Sequence, residues 1–183
     1  ELENAGHRVI RIGRDDAGAM HRVGVAPGEP LFEGVDAVIH LAAQLVSGPN
    51  IVIADYLDAN VNLTERMLVE AHDAGVGRFV FASSRLVYPG GLGRDAAETD
   101  AAPDNAYGMS KWIAEHVVAY HANRTGMSAV SLRISQLVGP GDNGRGVLGG
   151  FARAAARGGP LRVAGTGRAV RDFLDVRDAA RAL

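Results

Sequence analysis

Tyr107 and Lys111 are the two residues of this chain whose types and spacing most directly suggest chemistry. Four residues apart, they would lie on one face of a helix. A phenol with a pKa of about 10 is a poor acid or base at neutral pH, but a neighbouring ammonium favours the phenolate and lowers that pKa. The pair is therefore a candidate general acid–base unit. The alternative is a surface tyrosine and lysine one turn apart.

Lys111 is also the single lysine among the 19 lysine and arginine residues. A chain that uses arginine almost everywhere reflects a compositional bias, so its one lysine is expected where arginine cannot substitute. Lysine offers a compact ammonium with a tunable pKa, whereas arginine presents a planar fork that stays charged. This exception favours a functional role for Lys111, with chance as the alternative.

Ser84 is the third candidate, because it follows a buried strand predicted at residues 78–83. Its hydroxyl would lie at the end of that strand, and the loop that leads to Tyr107 can fold back over it. From there the hydroxyl can hydrogen-bond the substrate oxygen that Tyr107 protonates or deprotonates. The alternative is a serine that only satisfies backbone groups.

The elements that position these groups alternate between strand and helix patterns. Strands are predicted at 7–13, 35–43, 78–83 and 128–134, and helices at 51–74, 104–125 and 147–157. This order predicts an α/β protein with a Rossmann-like, doubly wound parallel sheet. Ligands of such sheets bind beyond the carboxyl ends of the strands. The segments expected at that crevice are Gly13-Arg14, Leu41-Ala42-Ala43, Ser83-Ser84 and Ser135-Gln136.

Seven segments of the chain occur in an order typical of a known family. They are Gly-Val-Asp-Ala-Val-Ile-His-Leu-Ala-Ala at 34–43, Asn-Val-Asn at 60–62, Arg-Phe-Val-Phe-Ala-Ser-Ser at 78–84 followed by Val87-Tyr88, Tyr-Gly-Met-Ser-Lys at 107–111, Leu132-Arg133, Gly-Pro-Gly at 139–141, and Val-Arg-Asp-Phe at 170–173 followed by Val176-Arg177-Asp178. With these segments the chain resembles the extended short-chain dehydrogenases/reductases, the group that contains nucleotide-sugar epimerases and dehydratases.

The resemblance implies a general acid–base role for Tyr107, binding of the nicotinamide ribose by Lys111, and the family's serine or threonine position for Ser84. Together with the strand ends, it implies a cofactor-binding set of Gly13, Arg14, Leu41, Ala42, Ala43, Asn60, Ser83, Tyr107 and Lys111. The implied substrate-binding set is Ser84, Tyr88, Gln136 and Arg171. In the family, an arginine at the position of Arg171 binds the diphosphate of a nucleotide-sugar through bidentate hydrogen bonds. The alternative is a surface salt bridge with Asp172 or Asp175.

Departures from the family pattern bear on the reaction. The 4,6-dehydratases follow their threonine with Asp-Glu, whereas this chain has Arg85 and Leu86, so dehydration by that route is not expected. Related decarboxylases carry a glutamate at the Leu86 position, which counts against that reaction too. Gln136 and Val138 stand where many members have asparagine and tyrosine.

The choice between NAD and NADP depends on the end of the first predicted strand. NAD enzymes usually place an aspartate there for the ribose 2′-hydroxyl. Here Gly13 takes that place, and Arg14 can pair with a 2′-phosphate. Asp15 and Asp16 oppose this interpretation, so the preference for NADP is slight.

Both ends of the sequence read as interrupted elements. No Gly-x-Gly-x-x-Gly turn is present to hold a pyrophosphate. We expect an N-terminal strand with that turn, and a C-terminal portion, to lie outside this sequence. Residues 1–138 are then an incomplete dinucleotide-binding domain, and residues 139–183 begin a small substrate-binding region interleaved with it. The 183-residue piece alone is expected to bind NAD(P) poorly.

Composition and charge exclude several other classes of protein. A formal net charge of −2 gives no reason to expect nucleic acid or an anionic membrane as partner, and with no cysteine there is no disulfide or thiolate. No apolar run approaches the roughly 18 to 20 residues of a membrane span. A cytoplasmic enzyme fits these features. No metal site is expected, since His116 and His121 do not share a helix face and His40 is expected at a packed strand end.

These features favour an NAD(P)-dependent epimerase that acts on a nucleotide-sugar through a transient keto intermediate. An NADPH-dependent reductase of a small carbonyl compound is the alternative, and a nucleotide-binding sensor is the non-enzymatic one. A homodimer is expected through the helices at 51–74 and 104–125, because both carry apolar residues on more than one face.

Overall fold

Seven strands are present in the computed structural model, which describes residues 2–14, 20–22, 30–45, 50–89, 101–142, 146–163 and 165–183. In chain order they are β1 (Ile12–Arg14), β2 (Met20–Arg22), β3 (Ala37–His40), β4 (Arg78–Ser84), β5 (Ser128–Ile134), β6 (Gln136–Val138) and β7 (Phe173–Asp175). Strands β3, β4 and β5 form a parallel sheet in that order. His40 pairs with Phe81, and Ser84 with Ile134, so the carboxyl ends of the three strands meet at one edge.

Five α-helices and two short helical turns accompany the strands. They are α1 (Ala54–Tyr56), a π-helical turn (Leu57–Asn62), α2 (Leu63–Asp73), a 3₁₀ turn (Arg85–Val87), α3 (Ala106–Thr125), α4 (Val147–Ala156) and α5 (Val176–Ala182). The predicted helix at 51–74 is thus present, with a π-helical turn that its periodicity did not indicate. The predicted helices at 104–125 and 147–157 are confirmed.

Helix α3 begins and ends where its flanking residues indicate. The Asn105 side chain accepts a 2.8 Å hydrogen bond from the backbone N–H of Gly108, so it caps the first turn. At the other end Gly126 adopts a φ of 75°, the left-handed conformation that glycine takes without strain. Both capping signals depend only on residues at the helix ends, which is why the bounds of this helix were predictable.

The hydrophobic core lies between the central sheet and the helices α2 and α3. Alternate residues of β4 point into it, and Phe79 and Phe81 are fully buried. Each such side chain contributes roughly 2 to 3 kcal/mol of burial free energy. The core cluster comprises Phe32, Val38, Leu63, Met67, Leu68, Ala71, Val76, Phe79, Phe81, Ala114, Val118 and Met127.

The predicted strand at 7–13 differs from the observed structure. Only Ile12–Arg14 is a strand, and it pairs antiparallel with Met20–Arg22 rather than joining the parallel sheet. The physical reason is proximity, because a neighbouring segment of chain is the easiest partner for an antiparallel pair. Asp15 and Asp16, which argue against a preference for NADP, lie outside the described residues.

A second small sheet was not predicted at all. Strands β6 and β7 pair in parallel, with Gln136 opposite Phe173, and α5 follows directly. Only glycine fits at position 139 beside this pair, because a Cβ there would clash with Cγ1 of Val176 at 2.6 Å. The loop that leads from Ser84 to Tyr107 is described except for residues 90–100.

The predicted Rossmann-like parallel α/β fold is confirmed by the central sheet and its helices. The division into residues 1–138 and 139–183 stays a prediction. Among the described residues, no helix is long and apolar enough to cross a bilayer.

Candidate active site

Lys111 is buried in the second turn of α3, with 2% of its surface exposed. Its Nζ donates a 2.7 Å hydrogen bond to the carbonyl of Ala82 and lies 4.4 Å from the centre of the Phe81 ring. Burial lowers the pKa of Lys111 from 10.5 to about 8, and the Glu115 carboxylate acts in the opposite direction. Lys111 is therefore an ammonium fixed against the carboxyl end of β4, not a surface lysine.

Tyr107 lies one turn before Lys111 and is half-buried. Its ring packs edge-on against Tyr56, with 5.7 Å between the ring centres. Burial, and secondarily Tyr56, raise the pKa of Tyr107 above its ordinary 10.0. The lowering of the Tyr107 pKa expected from Lys111 does not appear as a net shift, because burial desolvates the phenol while the ammonium bonds the Ala82 carbonyl. Tyr107 is thus a protonated phenol at neutral pH.

Ser84 ends β4 and caps the 3₁₀ turn that follows. Its Oγ accepts a 3.2 Å hydrogen bond from the backbone N–H of Leu86. A hydroxyl has one donor and two acceptor positions, so this bond leaves the O–H able to donate to a ligand. The serine satisfies a backbone group, as the alternative interpretation required, and still retains a donor.

Asn60 joins the segment after β3 to the first turn of α3. It lies in the π-helical turn and is 1% exposed. Its Oδ1 accepts a 2.7 Å hydrogen bond from the Gln44 N–H, and its Nδ2 donates to the Gln44 carbonyl at 3.3 Å and to Ser110 Oγ at 3.0 Å. Ser110 in turn donates to the backbone carbonyl of Tyr107 at 2.7 Å. The buried amide therefore fixes the segment near residue 44 against the turn that carries Tyr107.

The three residues after β3 are exposed at the edge of the sheet. Leu41 is 59% exposed, and Ala42 and Ala43 are exposed as well. They lead into Gln44, whose backbone Asn60 holds, and their role as cofactor contacts stays a prediction. Gly13 and Arg14, by contrast, lie in the separate β1–β2 pair, and the Arg14 side chain is outside the described part of the chain. The structure therefore does not place them with the other cofactor candidates.

A charged network lies on the other side of Ser84. Ser83 Oγ donates to Oε1 of Glu115. Arg133 donates to the same carboxylate from Nε at 3.1 Å and from Nη2 at 2.8 Å. Arg133 also donates through Nη1 to the Tyr88 hydroxyl at 2.8 Å and lies 4.9 Å from the centre of its ring. The hydrogen bonds that Arg133 donates to Glu115 are the main reason that the pKa of Arg133 is raised. Tyr88, which is 8% exposed, is thereby fixed beside the strand end.

The remaining substrate candidates lie in the C-terminal segment. Gln136 begins β6, and Arg171 is exposed two residues before β7. Asp175 pairs instead with Arg177, 2.7 Å away, and this contact holds the pKa of Asp175 below its usual range. Among the described residues, no hydrogen bond joins Arg171 to Asp172 or Asp175, or Gln136 to the Tyr107 cluster.

His40 is a packing residue at the end of β3. It is 2% exposed, its Nε2 lies 3.0 Å from Thr64 Oγ1, and its ring stacks on Phe81. Burial, aided by the charge of Lys111, lowers the pKa of His40 from 6.5 to about 4. The expectation of a packed strand end is confirmed. The described stretches of chain bring no three His, Asp or Glu side chains together as metal ligands.

Three residues that contact the candidate site residues had no predicted chemical role. They are Ser110, Glu115 and Arg133. Glu115 follows Lys111 by four residues, so helical spacing was a usable signal for it. Arg133 stood in one of the segments that carry the family resemblance, without a role. Their contacts cross between strands and helices, which residue spacing alone does not reveal.

Comparisons with known proteins agree with this arrangement. The whole chain, residues 1–183, matches the family model described as "NAD dependent epimerase/dehydratase family". An uncharacterized UDP-glucose epimerase of Bacillus subtilis is 27% identical over 155 residues, which are 84% of this chain and 49% of that protein. The UDP-glucose 4-epimerase of Rhizobium meliloti is 30% identical over 167 residues, which are 80% of this chain and 50% of that protein.

A solved structure gives the same result. The chain superposes on MoeE5 in complex with UDP-glucuronic acid and NAD with a TM-score of 0.70 and 33% identity, covering 83% of this chain and 52% of that one. This chain therefore spans about half the length of the relatives that it matches. Because the family model matches residues 1–183, the chain belongs to the NAD-dependent epimerase/dehydratase family, a group of extended short-chain dehydrogenases/reductases.

Proposed function

We propose that this chain carries the acid–base site of an NAD(P)-dependent epimerase that acts on a nucleotide-sugar. The observation that carries the proposal is the buried ammonium of Lys111, one helical turn from Tyr107 and at the end of the strand that holds Ser84. Lysine is almost never fully buried without a specific reason, because desolvating its charge is costly. Its burial at this edge supports a site for proton transfer to and from a substrate hydroxyl.

The proposed reaction needs one proton acceptor and one hydride acceptor. The hydride acceptor would be a bound nicotinamide, which would receive the hydride from a carbinol carbon of the sugar and return it to the opposite face of the resulting ketone. Tyr107 first loses its own proton to solvent; as the phenolate it then takes the hydroxyl proton when that carbon becomes a ketone and returns it when the ketone is reduced, so protons and charges balance over the cycle. Ser84 donates its O–H to the same oxygen and holds it beside the phenol.

Lys111 is assigned the task of making the Tyr107 phenolate accessible. Its pKa of about 8 leaves it mostly charged at pH 7, which counters the raised pKa of the phenol. An ammonium has three donors, and the Ala82 carbonyl uses one of them. The other two are assigned to the phenolate oxygen and to a ribose hydroxyl of the cofactor.

The nucleotide-sugar is proposed from the family and from Arg171. A guanidinium exposed near the carboxyl end of the sheet suits a diphosphate, which it binds with two parallel hydrogen bonds. NAD is the cofactor in the MoeE5 complex. The slight preference for NADP stays a prediction, tested by comparing the dissociation constants of the two cofactors. A cytoplasmic location and a homodimer likewise stay predictions.

The test is turnover of a panel of UDP-, GDP- and dTDP-sugars by the full-length protein, followed at the reduced-nicotinamide absorbance band and by chromatography of products. An epimerase forms an isomeric nucleotide-sugar with no net change in that absorbance. Sustained loss of NADPH with a simple ketone, together with inertness toward every nucleotide-sugar, would identify the reductase instead. Cofactor binding with no turnover of either class of substrate would identify the sensor.

A further inference from the structure

Ser84 and Tyr107 belong to different elements, and their separation must be fixed for both to reach one substrate oxygen. Ser84 precedes the 3₁₀ turn Arg85–Val87, and Tyr107 is the second residue of α3. The turn and the first residues of the helix pack against each other. Leu86, Asn105 and Gly108 contribute to this contact.

Asn105 contacts both elements with the two ends of one amide. Its Oδ1 accepts the 2.8 Å hydrogen bond from the Gly108 N–H that caps α3. Its Nδ2 donates a 3.4 Å hydrogen bond to the carbonyl of Leu86. Capping requires only the oxygen, so the amide nitrogen adds a tie that an aspartate or serine cap would lack.

Gly108 allows the helix to approach the same carbonyl. A Cβ at this position would lie 1.9 Å from the oxygen and 2.7 Å from the carbon of the Leu86 carbonyl. Real Cβ contacts are essentially never shorter than 3.0 Å, so an alanine would force the two elements about 1 Å apart. Glycine is required here by close approach of backbone, and not by an unusual φ.

Leu86 transmits the position of the helix to the serine. Its carbonyl meets Asn105 and Gly108, while its N–H donates the 3.2 Å hydrogen bond to Ser84 Oγ. A shift of the turn away from α3 therefore moves the Ser84 hydroxyl relative to Tyr107.

We propose that Asn105 and Gly108 are positioning residues, which set the distance between the Ser84 hydroxyl and the Tyr107 phenol through the backbone of Leu86. The proposal rests on the proposed function for the reaction that this distance serves. Neither residue touches the substrate oxygen; both act through the turn.

The activity experiment compares Gly108→Ala, Asn105→Asp and a control, Gly77→Ala, in the full-length protein. Asn105→Asp keeps the capping oxygen and loses the amide that donates to Leu86 and, at 3.1 Å, to Asp104. In the control a Cβ would lie 4.0 Å from the nearest atom, the Asp36 carbonyl oxygen, so the same substitution meets no clash. We expect kcat for the epimerised sugar to fall about 10- to 100-fold in Gly108→Ala and several-fold in Asn105→Asp, with KM within about threefold and the control unchanged.

Two further readouts separate positioning from damage to the fold or the cofactor site. Energy transfer from Trp112, the residue after Lys111, to reduced nicotinamide should report unchanged cofactor affinity in all variants. Hydrogen exchange at the Leu86 amide, measured without substrate, should become at least about fivefold faster in both positioning variants and stay unchanged in Gly77→Ala.

Each result bears on one claim. A wild-type protein inert toward every nucleotide-sugar would end the proposed function, while faster exchange at Leu86 would still support the positioning role of Asn105 and Gly108. Unchanged exchange at Leu86 in both positioning variants would overturn that role whatever the activity. So would a wild-type kcat in Gly108→Ala, or a loss of kcat matched in Gly77→Ala. If Gly108→Ala does not fold, Asn105→Asp decides by the same two measurements.

Discussion

The two ends of the proposed site differ in how firmly the chain holds them. Around β4 and α3, Lys111 and Asn60 are buried, and each has hydrogen bonds to named backbone groups. In the segment from residue 136 to 183, Arg171 is exposed, and its neighbour Val170 is 83% exposed. The central region therefore arrives with its polar groups already fixed, and the C-terminal segment presents its groups to solvent.

This difference matches the demands of the two tasks. Proton transfer requires the reacting side chains to be positioned to within a fraction of an ångström. Packing and hydrogen bonds from neighbouring residues provide this before any ligand binds. An exposed arginine gains its hydrogen bonds from the ligand and loses side-chain freedom in doing so. We expect substitutions in the central region to change kcat and those in the C-terminal segment to change KM.

Tyr107→Phe is expected to produce the largest effect. It removes the hydroxyl that moves the proton and keeps the ring that packs on Tyr56. We expect kcat to fall by roughly two to four orders of magnitude, with cofactor affinity nearly unchanged. Steady-state turnover and a cofactor titration measure the two quantities. A variant that retains most of its kcat would remove Tyr107 from the acid–base role.

The buried His40 gives a second test of the central region, because its lowered pKa makes the free energy of unfolding depend on pH. Its pKa in the folded state, about 4, lies below the 6.5 of an unfolded chain, so the folded state binds fewer protons between those values. Its contribution is fully present above pH 6.5 and is lost as pH falls toward 4. The loss amounts to roughly 3 kcal/mol of unfolding free energy at most.

The measurement is urea denaturation of the wild type, His40→Gln and His72→Gln at several pH values from 7 to 4. His72 is exposed and serves as the matched control. We expect the pH slope of the unfolding free energy to shrink in His40→Gln and to persist in His72→Gln. An unchanged slope in His40→Gln would show that the buried imidazole does not govern this transition.

Arg171→Ala tests the role of the exposed C-terminal segment. Losing a bidentate, charge-assisted contact to a diphosphate is expected to raise KM for the nucleotide-sugar about 10- to 100-fold and to leave kcat within about threefold. Arg168→Ala, at another exposed arginine of the same segment, is the control. Equal effects of the two substitutions would remove the diphosphate assignment, and a loss confined to kcat would contradict the division between the two regions.

The smallest effect on turnover is expected at the predicted dimer surface. Val69 on α2 and Tyr120 on α3 are apolar residues that are 41% and 56% exposed. We expect the double variant Val69→Glu/Tyr120→Glu to be monomeric by light scattering, with kcat reduced less than about twofold. Leu161→Glu, at a side chain 54% exposed elsewhere, should leave the dimer intact. A monomeric wild type would remove the dimer prediction.

The central region was predictable because its signals are local. The spacing of Tyr107 and Lys111 placed both on one helix face, and the apolar pattern of residues 78–83 predicted β4 to within one residue. Asn105 and Gly126 mark the ends of α3 by capping chemistry that each residue carries by itself.

What the sequence did not reveal depends on contacts between distant segments. The pKa of Tyr107 rises because burial desolvates the phenol and, secondarily, because of the electrostatic effect of Tyr56, and no spacing rule links those two residues. The contact of Asn105 with Leu86 crosses between a helix and a turn, and the antiparallel β1–β2 pair depends on which strand partner lies nearest. Tertiary placement decided each of these.

Isotope incorporation tests the central claim most directly. The full-length protein would be run in D₂O with the nucleotide-sugar that it isomerises, and the product examined for carbon-bound deuterium by NMR and mass spectrometry. Return of the same hydride predicts no deuterium at the inverted carbon, with Tyr107→Phe giving no product above background. One deuterium at that carbon would show that the carbon itself exchanges a proton with solvent, and would contradict the proposed oxidation and reduction at the Tyr107 site.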